Sequence, residues 1–320
     1  MVVPEKETNR GKQQWFIDPS AIMQIKNLTL RAKAVVEGFA SGLHRSPLHG
    51  FSVEFAQYRP YSVGDDPRTL DWKLLARTDR YYVKQFEDET NRRCYIAVDQ
   101  SRSMAFGSGD YTKAEYARTL AATLAYYLTQ QRDSVGIMTC GSEKADYLPP
   151  RNRTGHLQQI MRLLGQASEG ADSDLSASLS ELASLSRRRG LVVLLSDLLT
   201  DPETLFQPLG YLRGRSHEVL IIRVLDPTEV DFRLERSTML RDMETGKEMY
   251  IDPQAAETEY KKRFETHEQQ LLDICHRRGA RLVTMTIDQP LDAGLVELIS
   301  NRTSVIASGA KKRAVAGGVS

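Results

Sequence analysis

The chain has 320 residues, 43 Lys and Arg against 42 Asp and Glu, and 41% hydrophobic residues. A net charge of +1 gives no electrostatic case for nucleic acid or an anionic membrane as the main partner, because holding a polyanion takes a clustered excess of Lys and Arg. No apolar run approaches the ~20 residues that span a bilayer, so membrane insertion is excluded, and the polar stretch from Met1 to Gln14 is not expected to act as a signal peptide. Cys94, Cys140 and Cys275 lack disulfide or metal-ligand spacing. They read as small buried hydrophobes in a reducing cytoplasm, which is the expected location.

In chain order, Asp18-Pro19 has the form of an N-cap and first helical residue, predicting a helix to about Phe39 that Gly42 stops. Phe51–Tyr61 and Tyr81–Glu87 have the aromatic and β-branched content of strands and flank the turn-rich Gly64-Asp65-Asp66-Pro67. From Cys94 onward short apolar runs alternate with longer amphipathic ones, as in a parallel sheet covered by helices on both faces. Cys94–Val98 reads as a strand, followed by a helix over Lys113–Gln130 in which Ala117, Leu120, Ala121, Leu124 and Leu128 recur at helical spacing. Ser134–Thr139 is a second strand and Asp146–Leu148 a short antiparallel edge strand. Helices are predicted near His156–Leu164 and Leu175–Leu185. Leu191–Leu195, the most apolar run, reads as a central strand buried on both faces. Helix Glu203–Leu212, strand Val219–Leu225, a long charged helix from about Ala255 to Arg278 and strand Leu282–Ile287 complete the pattern. Thr238–Asp242 and Lys247–Ile251, joined around Thr245-Gly246, form an inserted hairpin.

The expected architecture is therefore a doubly wound, mostly parallel α/β sheet with a small β-rich N-terminal module and an inserted hairpin. Its divisions are a polar tail 1–17, an N-terminal helix and β-rich module 18–92, the α/β domain 93–305 with its insertion 232–252, and a disordered basic tail 306–320.

The segment Asp99-Gln100-Ser101-Arg102-Ser103 follows an apolar strand directly, and in an open α/β sheet ligands bind outside the carboxyl ends of the strands where the strand order reverses. One carboxylate and two hydroxyls at alternate positions can converge there. Oxygen-only donors suit a hard cation such as Mg²⁺. Leu194-Leu195-Ser196-Asp197 ends the central strand in a carboxylate, and Asp172-Ser173-Asp174-Leu175 places a hydroxyl and two carboxylates before a helix. Plain strand-end capping by Asp99 and Asp197, and helix capping by Ser101 and Ser103, account for the same residues taken singly.

The ordered set resembles the metal-ion-dependent adhesion site of von Willebrand factor A domains over roughly residues 93–305. That resemblance implies a sheet order 3-2-1-4-5-6 and Mg²⁺ or Mn²⁺ held by Asp99, Ser101, Ser103, Ser173 and Asp197, with Ser173 standing where that family usually has Thr. The upstream run Gly50–Phe55, Arg59, Tyr61, Gly64-Asp65-Asp66-Pro67-Arg68, Asp71-Trp72-Lys73, Ala76-Arg77-Thr78 and Val83–Glu87 is similar to the signature of the bacterial "domain of unknown function 58" family. Asp226-Pro227-x-Glu229 and Asp242–Tyr250 are also similar to that family, and the likeness covers roughly residues 40–290. It implies an adaptor or chaperone-like partner of a MoxR-type AAA+ ATPase, acting in assembly rather than catalysis.

Read physically, the charges Asp65, Asp66, Arg68, Asp71, Lys73 and Arg77 around Trp72 form either a salt-bridge network locking the small module to the core or an exposed docking surface. A catalytic carboxylate site is the remaining reading. A cation held by only two carboxylates and three hydroxyls keeps an open position, which favours capture of an acidic side chain from a client protein. A metal-dependent phosphatase or other hydrolase built on Asp99 and Asp197 would need a general base within reach, and the sequence places none of the six histidines there. A metal-free scaffold is the third reading.

Overall fold

The computed structural model of the chain describes residues 18–45, 57–61, 81–85, 92–140, 145–166, 174–232, 238–241, 248–251 and 253–301. A six-stranded sheet, with strands β3 (Arg93–Asp99), β4 (Ser134–Cys140), β5 (Asp146–Arg151), β6 (Leu191–Ser196), β7 (Glu218–Leu225) and β10 (Arg281–Thr286), organises them in the order β10-β7-β6-β3-β4-β5. All neighbours are parallel except the edge pair β4 and β5. Counted along the sheet this is the expected order 3-2-1-4-5-6. The first strand of the domain, β3, therefore lies beside its fourth, β6, at the reversal point. Two small antiparallel pairs stand outside it: β1 (Gln57–Pro60) with β2 (Tyr82–Gln85), and β8 (Thr238–Arg241) with β9 (Glu248–Ile251).

Alternation along each strand sends successive side chains to opposite faces. Cys94, Ile96 and Val98 of β3, Val193 and Leu195 of β6, and Leu220, Ile222 and Val224 of β7 share a core with α3 (Lys113–Gln130), α4 (His156–Gly165) and the last helix, α9 (292–301). Tyr95, Ala97, Val192, Leu194, Val219 and Ile221 face the other way, onto α5 (Leu175–Leu185), α6 (Phe206–Gly214) and α8 (Pro253–Arg278). Leu120, Leu124 and Leu128 of α3 are fully buried, each such side chain stabilising by about 1.5–3 kcal/mol. The three cysteines are buried free thiols, and burial pushes Cys140 up to about 12 and Cys275 up to about 11.

Several elements differ from expectation. The N-terminal helix is two helices, α1 (Pro19–Met23) and α2 (Leu28–Arg45). Arg31 fills the break, donating from Nη2 to the Met23 carbonyl at 2.6 Å and from Nε to the Ile25 carbonyl, which satisfies carbonyls that a helix end leaves without partners. α2 runs past Gly42, because one glycine inside a helix costs only about 1 kcal/mol and tertiary packing outweighs it. Ile22, Met23, Ala32, Val35 and Val36 are buried in the core that α3 shares. The helix expected at Glu203–Leu212 starts as a 3₁₀ turn, Pro202–Leu205, capped by Asp201, and continues as α6.

β5 is longer than expected and carries Pro149 and Pro150, which an edge strand tolerates because a missing N–H there breaks no inner ladder. Opposite it, Gly136 sits where the register shifts between Val135 and Ile137. A Cβ at Gly136 would lie 2.7 Å from the Pro150 nitrogen and 2.8 Å from the Leu148 carbonyl oxygen. Gly136→Ala is therefore expected to destabilise the chain by roughly 1–2 kcal/mol, at the lower part of the overpacking range because an edge strand can shift outward. A urea titration that leaves the midpoint unmoved would show that β5 yields freely.

Candidate functional site

Asp99 ends β3 on the same face as Tyr95 and Ala97, and Ser196 ends β6 on the same face as Val192 and Leu194. The two meet across the reversal point, with Ser196 Oγ donating to Asp99 Oδ2 at 2.5 Å. Asp99 Oδ1 accepts from the Ser101 amide at 2.9 Å, and the Ser101 and Ser103 hydroxyls lie 3.0 Å apart. Asp197, the residue after β6, accepts from the Leu199 amide at 3.2 Å through Oδ1. Of the five expected donors, Asp99, Ser101 and Ser103 are joined by these hydrogen bonds, and Asp197, at the end of the neighbouring strand, is near enough for its charge to act on Asp99. The fifth, Ser173, lies outside the described residues, as do Asp65, Asp66, Arg68, Asp71 and Trp72. The capping reading holds at the same time: each aspartate caps an amide two residues on, and Asp174 caps α5 by accepting from the Ala177 amide. Ser101 is the N-cap of the 3₁₀ turn Arg102–Ala105 by position but makes no side-chain cap bond, which leaves its hydroxyl to Ser103.

Three residues that sequence reasoning did not place at the site dominate its electrostatics. Lys113, the first residue of α3, has a side chain 0% exposed, with Nζ 2.9 Å from Asp197 Oδ2 and 2.5 Å from Glu229 Oε1. Glu229 is held by a capping box: its Oε2 accepts from the Asp226 amide at 2.8 Å at the start of α7 (Pro227–Asp231). Asp226 accepts in turn from the Ser108 amide and hydroxyl and from Thr228. Burial alone would raise Asp226, but these hydrogen bonds hold it below the ordinary carboxylate range. Arg223, fully buried on β7, donates from Nε to the Asp197 carbonyl at 3.1 Å and lies 5.0 Å from the centre of the Phe264 ring of α8. Burial lowers its guanidinium from the usual value, and the carboxylates of Glu268, Asp197 and Glu229 oppose that shift.

Two of these residues left a trace in the sequence. Lys at the first position of a helix opposes the helix dipole, a local conflict that implies carboxylates nearby. Arg223 is the single charge inside the apolar run Val219–Leu225.

Asp99 is 3% exposed. Burial, and after it the negative charge of Asp197, pushes its carboxyl up to about 6. Leu198, next to Asp197, is a buried non-glycine residue held at φ 54°, and such backbone strain persists only where surrounding contacts enforce it. The described donors are two carboxylates and two hydroxyls, the oxygen set a hard cation takes, so they fit Mg²⁺ or Mn²⁺ in kind. Among the described residues no three His, Cys, Asp or Glu side chains form a cage, and one of the two carboxylates already carries the Lys113 ammonium.

A doubly wound α/β domain with carboxylates and hydroxyls at its reversal point belongs to the class whose ligands enter at the strand ends. The chain is a member of the family described as "Protein of unknown function DUF58", whose model matches residues 57–270. It is 29% identical over 290 residues to the uncharacterized protein Rv1480 of Mycobacterium tuberculosis, covering 89% of this chain and 90% of that one. It is also 27% identical over 158 residues to the uncharacterized protein YeaD of Bacillus subtilis, covering 49% of this chain and 37% of that one. Among solved structures it is similar to BatB from Bacteroides thetaiotaomicron (17% identity, TM-score 0.46, 68% and 99% of the two chains). It is likewise similar to the SpRpn10 VWA domain (14%, TM-score 0.40, 64% and 93%). Among the described residues no helix is long and apolar enough to cross a membrane.

Proposed function

We propose that this chain is a non-enzymatic, cytoplasmic protein-binding adaptor. In this reading it captures an acidic side chain of a client or of a MoxR-type AAA+ ATPase at a divalent-metal site formed by Asp99, Ser101, Ser103, Ser173 and Asp197. The observation that supports it is the joined set Asp99, Ser101 and Ser103 at the end of β3, beside the strand that Asp197 follows. Bound there, Mg²⁺ or Mn²⁺ would supply a positive charge with an open coordination position. The chain's own part is to orient the hydroxyls, through the Asp99 turn, and to screen the carboxylates from water.

Against the hydrolase reading, three of the described histidines are engaged with backbone carbonyls: His156 and His217 bond those of Val135 and Ser186, and His267 bonds that of Thr200. A metal-free scaffold is the second reading, favoured by the ion pair of Lys113 with Asp197.

In calorimetry Mg²⁺ or Mn²⁺ is expected to bind the full chain with modest affinity, and Asp99→Ala to abolish binding. In pull-downs with a MoxR-type ATPase, chelator and Ser101→Ala should each reduce recovery without unfolding the chain, since a part-buried loop hydroxyl contributes little to core burial. Asp197→Asn should reduce it too, with a thermal melt run beside it because that substitution also breaks the buried pair with Lys113. Equal recovery under all these conditions would remove the metal site as the contact.

A further inference from the structure

We propose that Lys113 is the resident cation of this site and that it competes with a divalent ion for Asp197, Glu229 taking the ammonium when the ion is bound. The inference rests on the metal reading of the site and adds a device that controls it. The geometry has three parts. The Lys113 ammonium sits between two carboxylates and already touches both, at 2.9 Å from Asp197 and 2.5 Å from Glu229. Its backbone cannot follow a displacement, because the Thr112 capping box with Glu115 fixes the first turn of α3. Only the flexible four-carbon side chain moves. Glu229 is held in place as well, because its second oxygen accepts from the Asp226 amide, so it is a fixed second acceptor for the ammonium.

Electrostatics sets the direction. An ammonium at hydrogen-bond distance from Asp197 neutralises one of the two carboxylates offered to a metal, and a divalent ion beside an undisplaced ammonium meets like-charge repulsion in a poorly solvated site. The ion therefore enters only as Lys113 swings wholly onto Glu229. The Arg223 guanidinium, bonded through Nε to the Asp197 carbonyl, adds to the repulsion. Removing the ammonium should thus strengthen metal binding. Removing the charge of Glu229 should weaken it, because Lys113 is then left to Asp197 alone. These opposite signs separate competition from a merely structural ion pair.

The test is calorimetric titration of the full chain with MgCl₂ and MnCl₂, run beside thermal melts in chelator and in excess Mg²⁺, for the wild type, Lys113→Met and Glu229→Gln. Lys113→Met is expected to bind Mg²⁺ at least tenfold more tightly than the wild type and to gain a larger rise in melting temperature on Mg²⁺ addition. Glu229→Gln is expected to bind at least threefold more weakly. Binding by Lys113→Met but not by the wild type would uphold the competition and overturn the metal reading for the native chain. Equal affinity in all three proteins would overturn the competition while the metal reading stands. No binding in any of them would overturn both. If Lys113→Met does not fold, Glu229→Gln decides: unchanged or tighter binding in that variant overturns the proposal.

Discussion

Lys113→Met is expected to lower the stability of the chain, measured in chelator, by roughly 3–5 kcal/mol, the usual consequence of breaking a buried ion pair from one side. The cause is not the lost attraction alone. Asp197 is 2% exposed and Glu229 17% exposed, so the substitution leaves two carboxylates in a place where water cannot replace the ammonium. Met keeps most of the aliphatic volume, which separates the charge effect from a cavity effect. Adding Asp197→Asn to Lys113→Met should restore part of the loss, because one of the stranded charges is then gone. Urea denaturation of the two variants checks this. A loss under about 1 kcal/mol for Lys113→Met would mean that the carboxylates find solvent or another cation, and would remove the reason for treating this lysine as part of the site.

The second large effect is expected at Asp99 and depends on pH. The carboxyl is raised from the ordinary value of 3.8 to about 6, by burial first and by Asp197 second. Between those values the folded chain holds a proton that the unfolded chain has released. The favourable contribution of the protonated carboxyl is therefore complete below about pH 3.8 and is lost as the pH rises through 6. At about 1.4 kcal/mol for each tenfold change in proton affinity, roughly 3 kcal/mol disappears across that window. Asp99→Asn cannot ionise and should not lose it. Without metal, the stability of Asp99→Asn relative to the wild type should thus improve by about 3 kcal/mol from pH 4 to pH 7.5. Guanidinium titrations of both proteins at several pH values provide the measurement, and a difference independent of pH would show that Asp99 is solvated in the folded chain.

A candidate site that is less stable with Asp99 charged has a simple consequence. A divalent ion bound beside it would stabilise the ionised form, so occupancy and folding are linked. The neighbouring carboxylate, Asp197, already has an internal cation in Lys113.

The alternation of short apolar and longer amphipathic segments was sufficient for the doubly wound sheet, because a strand buried on both faces and a helix covering it leave different periods in the residues. The placement of Asp99 and Asp197 at strand ends was legible for the same reason: an apolar run that stops at a carboxylate marks where the strand ends, although both carboxylates prove to be buried there. The antiparallel pairing of β8 with β9 was legible from two short β-rich runs, while the Thr245-Gly246 turn expected between them lies outside the described residues. Local patterns could not supply what depends on distant parts of the chain. α2 continues past Gly42 because Ala32, Val35 and Val36 dock on the core next to α3, a contact that no nearby residue encodes. Lys113 meets Asp197, 84 positions away, and Glu229, 116 positions away. Ser196, read only as the residue before a site aspartate, holds Asp99 from 97 positions away. Hydrophobic periodicity records which face of an element is buried; which charge it is buried against is decided only when the strands take their order in the sheet.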